Sequence, residues 1–152
     1  MKSLSSPGPG YRLWQLTHLW QRAIRKALEP YGLTHSQYVL LASIHWLSLH
    51  KKAVTQVELS AHTQIDPMTT SAVLRTLQKK GLLQRREHLT DTRAKTVMLT
   101  DKGIDLTRVA VKAVECFDAG FFSGLGDQAN DFNRKIQQLL DQVILSPFFR
   151  PL

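Results

Sequence analysis

The sequence predicts a mainly α-helical fold carrying one small β-hairpin. Three observations lead there. Apolar residues recur at helical spacing through most of the 152 residues. Helix-start signatures, Thr-x-x-Gln/Glu and Asp-Pro, open one segment after another. Between Gly81 and Thr100 the helical period gives way to two short runs suited to strands, joined by a polar turn.

The elements follow in order. Residues 1–10, MKSLSSPGPG, have no apolar h-region and read as a flexible tail rather than a signal peptide. From Tyr11 to Glu29, the residues Leu13, Leu16, Trp20, Ile24, Ala27 and Leu28 mark one apolar face, which Pro30 and Gly32 end. Thr34 with Gln37 forms a capping box for YVLLASIHWLSLH, apolar on most faces and so central to the core. Thr55 with Glu58 forms a second box before a short helix containing Val57, Leu59 and Ala61. Asp66-Pro67 is the clearest helix start in the chain. That helix turns Val73, Leu74 and Leu77 inward, leaves Arg75, Lys79 and Lys80 outward, and stops at Gly81. Strands are expected at about Leu83–Glu87 and Lys95–Leu99. Thr100-Asp101 caps a long helix with Leu106, Val109, Ala110, Ala113, Phe117 and Phe121 on its apolar side. After a break at Gly124–Asp127, a last helix uses Phe132, Ile136, Leu139, Leu140 and Val143.

Composition bounds the function. Hydrophobic residues at 43% and charged residues at 21% fit a globular protein, and no apolar run reaches the length of a membrane span. Cys116 is the one cysteine, so no internal disulfide can form, which fits a reducing cytoplasm. On an apolar helix it reads as a small core hydrophobe. The net charge of +8 is uneven: residues 51–100 hold nine Lys/Arg against four acids, residues 101–152 six against seven. A basic middle segment points to a polyanionic partner. Enzyme readings find no constellation. There is no Gly-rich phosphate loop, no G-x-S-x-G and no carboxylate cluster, and the six histidines include no i,i+4 pair for zinc. No metal or other cofactor is expected.

Two short capped helices followed by a hairpin is the order of a winged helix-turn-helix. The helix at Asp66 would then enter a major groove, presenting Pro67, Met68, Thr69, Thr70 and Ser71 to base edges, with Arg75 further along. In the hairpin, Arg85, Arg86 and Lys95 can meet phosphates, and Arg93 near the tip can enter a minor groove. Asp91, two residues before Arg93, can orient that guanidinium.

The segments LTHSQYVLLASI, VTQVELSAHTQIDPMTTSAVLRTLQKKGLLQRRE and LTDTRAKTVMLTDKGIDL resemble the MarR (multiple antibiotic resistance regulator) family of transcription factors. The most specific piece is the wing D-x-R, Asp91 and Arg93, between KKGLLQRR and MLTDKG. The resemblance implies a homodimer with interlocking N- and C-terminal helices, double-stranded DNA as partner, and in many members a small ligand between lobe and dimer region. It divides a single domain over 11–152 into dimerisation helices (11–32 and 101–152) and a winged lobe (33–100). The sequence departs from the family pattern at Ala72, where relatives often carry Arg, and at Pro67-Met68. Trp14, His18, Tyr38, His45 and Trp46, with Trp20, either line a pocket for a small aromatic effector or form core and dimer interface. The expected function is a cytoplasmic, sequence-specific DNA-binding repressor, not an enzyme. The alternative is a winged-helix dimer that docks proteins without reading DNA.

Overall fold

The computed structural model describes residues 6–51, 53–87, 90 and 95–147, and among these described residues it has six α-helices and three strands. Helix α1, Pro9–Leu28, begins two residues before Tyr11, so Pro9 and Gly10 belong to the helix and not to a tail. A proline in the first turn gives up an N–H that has no helical partner anyway, and its φ is already helical. Helix α1 buries Ile24 and Leu28, while Tyr11, Leu13, Trp14, Leu16 and Leu19 stay exposed. A short 3₁₀ turn at Glu29–Tyr31 and Gly32 at φ 64° end it.

Helix α2, His35–Ser48, starts at a complete capping box. Thr34 Oγ1 accepts from the Gln37 N–H at 3.2 Å, and Gln37 Oε1 accepts from the Thr34 N–H at 3.1 Å. Its Leu40, Leu41 and Ile44 are fully buried and form the centre of the core. Burying each such side chain favours the fold by roughly 1.5–3 kcal/mol.

A strand not expected from the sequence follows: β1, Val54–Thr55. Helix α3, Gln56–Thr63, begins directly after it, with Thr55 and Glu58 exchanging capping hydrogen bonds of 3.1 and 3.2 Å. Helix α3 closes on Gln64 in the left-handed region, and α4, Pro67–Lys79, starts on Asp66. Strands β2, Leu83–Glu87, and β3, Lys95–Leu99, pair antiparallel, and β1 joins the far side of β3 to give the order β1-β3-β2. The register sets Val54 and Arg85 on either side of Val97. Helices α2, α3 and α4 pack on one another, with Leu59, Leu74, Leu77 and Leu83 closing the core beneath the sheet.

Helix α5, Asp101–Phe121, is capped by Thr100, whose hydroxyl accepts from the Gly103 N–H at 3.1 Å and donates to the Gly81 carbonyl at 2.7 Å. Its buried stripe is Gly103, Thr107, Ala110 and Val114; Val109, expected inward, is exposed because it lies one residue off that stripe. Contacts divide the chain into two compact units, one up to Glu115 and one from Cys116. The second holds the last turns of α5, a 3₁₀ segment at Ser123–Gln128 kinked at Gly126, and helix α6, Ala129–Leu145. Within it, Phe121 meets Phe122 edge-on at 5.1 Å and Phe122 meets Phe132 at 5.9 Å. Ile136, Leu139, Leu140, Val143 and Ile144 are exposed along α6.

Candidate nucleic-acid interface

The N-terminus of α4 is built to face outward. Asp66 Oδ1 accepts from the Thr69 N–H at 2.8 Å, which occupies one of the N–H groups a helix start leaves unpaired. Hydrogen bonds from Thr69, its hydroxyl first and then its N–H, hold the Asp66 carboxyl below the usual carboxylate range. Beyond the cap, Met68 is 83% exposed, and Pro67, Thr69 and Arg75 are exposed as well. Ser71 is half-buried. The positive end of the helix dipole and an exposed first turn suit a polyanion.

Thr70 departs from the sequence expectation. It is 1% exposed, and its hydroxyl donates to the Ile65 carbonyl at 3.3 Å. It therefore packs into the lobe and does not face a base edge. Helical phase explains this: Thr70, Leu74 and Leu77 stand at i, i+4 and i+7 on the buried face. That signal was present in the sequence.

The hairpin cations separate in the same way. Successive residues of a strand point to opposite faces, so Arg85 and Arg86 leave β2 in opposite directions. Arg86, opposite Thr96, lies on the outer face with Gln84, whose Oε1 accepts from Arg86 Nη2 at 3.0 Å. Arg85, opposite the buried Val97, is half-buried and turned inward. Its Nε donates to Gln78 Oε1 at 3.0 Å and its Nη1 to Gln56 Oε1 at 3.1 Å. Two of the five guanidinium donors of Arg85 are thus engaged by neutral partners within the lobe. Arg86 and Lys95 are exposed, and with Gln78 and Arg85 they line a hollow of about 230 Å³ between α4 and the hairpin. The expected wing pair, Asp91 and Arg93, lies outside the described residues.

The residues considered for an effector fall into different contacts. Trp14 packs on His18, ring centres 4.3 Å apart, both on α1. Trp46 lies 4.6 Å from His50 and stacks on His62 of α3 at 5.5 Å. Tyr38 and His45 are half-buried. A hollow of about 300 Å³ opens elsewhere, lined by Arg25, Glu29, Leu33, Thr34, Gln37 and Lys80. There Lys80 Nζ donates to the Gly32 carbonyl at 2.8 Å and to Gln37 Oε1 at 3.2 Å, tying the end of α4 to the start of α2. Lys80 is exposed, as expected for its position, and its long stem still reaches these carbonyls. Cys116 is exposed, which corrects its reading as a core hydrophobe, because it falls off the Thr107, Ala110, Val114 stripe.

A helix-turn-helix with an outward-facing second helix, flanked by a basic antiparallel hairpin, defines a winged-helix DNA-binding regulator. Known proteins agree. Residues 29–116 match the family model of the ArnR1-like winged-helix domain. The chain is 39% identical over 132 residues to YdcH of Bacillus subtilis (strain 168), an uncharacterized HTH-type transcriptional regulator, covering 87% of this chain and 89% of YdcH. It is similar to the M. tuberculosis transcriptional regulator MosR (Rv1049) in complex with DNA, with 26% identity, a TM-score of 0.73 and coverage of 88% and 93%. A MarR transcriptional regulator from Methanosarcina mazei Go1 superposes with a TM-score of 0.76 at 25% identity, covering 88% and 94%. The chain belongs to the MarR family of transcriptional regulators.

Proposed function

We propose that this regulator works in the cytoplasm as a homodimer that binds a pseudo-palindromic DNA operator and represses transcription by occupying it. The observation that carries the reading is the pairing of an exposed, capped helix start at Met68 and Thr69 with the basic hollow at Arg86 and Lys95. Base edges would meet Met68, Thr69 and Ser71, while phosphates meet Arg86 and Lys95. From the sequence alone, Arg93 aimed by Asp91 completes the wing in the minor groove. The exposed apolar residues on α1 and those on α6 each support a dimer over residues 11–32 and 101–152, since such surface is rarely left to water. Two-fold symmetry would place the two α4 helices about one DNA turn, ~34 Å, apart. A small aromatic effector contacting Trp14, His18, Tyr38, His45 or Trp46 would release the DNA. Among the described residues no helix is long and apolar enough to cross a membrane. The family role is regulation, and no enzymatic step is proposed.

The test is selection from random duplexes at moderate salt, followed by titration of the enriched duplex. An inverted repeat should emerge, and Arg93→Ala should weaken binding several-fold with the dimer intact. Failure to enrich any repeat would instead favour a protein-docking module.

A further inference from the structure

Arg85 joins three elements through one planar group. From β2 its guanidinium reaches Gln56, the first residue of α3, and Gln78, near the end of α4, at 3.1 and 3.0 Å. Both partners are neutral, so this contact holds the guanidinium in place without neutralising its charge. Arginine is suited to the task because its donors project in a fixed fork; a lysine ammonium is a single point on a flexible stem.

The position matters for reading DNA. Leu74 and Leu77 anchor α4 to the core, and Gln78 is the next residue after that anchor. Beyond it, Gly81 in the left-handed region leads into β2, where Arg86 faces out next to Arg85. The distance from a major groove to the flanking backbone is set by the duplex, so a helix reader and its wing must keep a matching separation. Here the Gln56–Arg85–Gln78 clasp spans that separation on the inner face of the sheet. We infer that Arg85 is a positioning residue for sequence discrimination: it holds the wing at a fixed distance from α3 and α4 and does not itself bind phosphate. The inference rests on the DNA-binding reading proposed above.

Phosphate contact and positioning differ in what they do to salt dependence. A lost phosphate contact lowers the log–log salt slope by about 0.9 and weakens all sequences alike. A lost clasp leaves the slope unchanged and reduces only the preference for the correct sequence. The experiment titrates the full-length dimer, as wild type and as Arg85→Lys, Arg85→Met, Gln78→Leu and Arg85→Lys/Gln78→Leu. Each is measured against the duplex enriched by the wild type and against a random duplex of equal length, over a salt series. Arg85→Lys keeps the charge and Gln78→Leu changes none. Each should nonetheless lower the preference for the enriched duplex about tenfold, with an unchanged slope, and the double variant should lose no more than either single one. Preserved discrimination in Arg85→Lys overturns the inference, as does equal loss on both duplexes. So does a slope reduced by about 0.9 in Arg85→Met. A wild type with no sequence preference removes the regulator reading itself, whereas a discriminating wild type with an indifferent Arg85→Lys removes the clasp alone.

Discussion

Gly103 on α5 lies against the main chain of Leu82 with no room for a Cβ: one built at Gly103 would run into the Leu82 carbonyl. The approach closes the joint where α4, β2 and the start of α5 converge, next to the Thr100 hydroxyl that bonds both Gly81 and Gly103. Gly103→Ala should destabilise the fold by about 1–3 kcal/mol, since backbone and not a pliable side chain must move. Urea unfolding checks this, and an unchanged midpoint with an unchanged slope would show that the joint has slack.

Asp66 links stability to pH. Its carboxyl is held below its ordinary pKa in the folded chain by the Thr69 hydroxyl and N–H. A depressed carboxylate stabilises the fold above its unfolded pKa, and that contribution is lost as pH falls through the folded value. Wild type should therefore lose more stability between neutral pH and about pH 3 than Asp66→Asn does, because asparagine caps without ionising. Parallel unfolding curves for the two proteins across that range would count against the cap as a titrating group.

Met68 and Arg86 should separate base reading from phosphate binding. Met68→Ala removes an exposed side chain, so stability should stay within about 0.5 kcal/mol of wild type. Its affinity for the selected duplex should fall roughly five- to tenfold with no change in salt slope. Arg86→Ala should lower the slope by about 0.9 and weaken random DNA equally. Salt-dependent titrations distinguish the two patterns, and a reversal of them would exchange the assigned roles.

Thr70 makes the opposite case. Thr70→Val keeps the shape but loses the hydrogen bond to the Ile65 carbonyl, at a cost of about 1 kcal/mol. Base preference should be unchanged. A shifted consensus in duplex selection would return Thr70 to the DNA surface.

What the sequence made legible were features written into neighbouring residues. The capping boxes at Thr34 and Thr55 and the Asp66-Pro67 start all appear as expected, and the two hairpin strands keep their expected bounds. Strand β1 escaped notice because two residues, Val54 and Thr55, carry no period of their own; only their pairing with Val97 and Thr96 makes them a strand. Arg85 and Arg86 had to face opposite ways, but which one turned inward depended on register against Val97. The clasp was illegible for a similar reason, since Gln56 and Gln78 meet Arg85 only after three elements have packed.

The pairing of Val54 with Val97 also shapes how the lobe assembles. Helices α3 and α4 both lie in the loop that this contact closes, and closing a long loop carries an entropy cost that the pairing must offset. Pairing across so many residues is slow to form, so α4 should gain its final orientation late in folding, after the hairpin has found β1. Slowed hairpin formation would then delay competence for DNA more than it delays the collapse of α2.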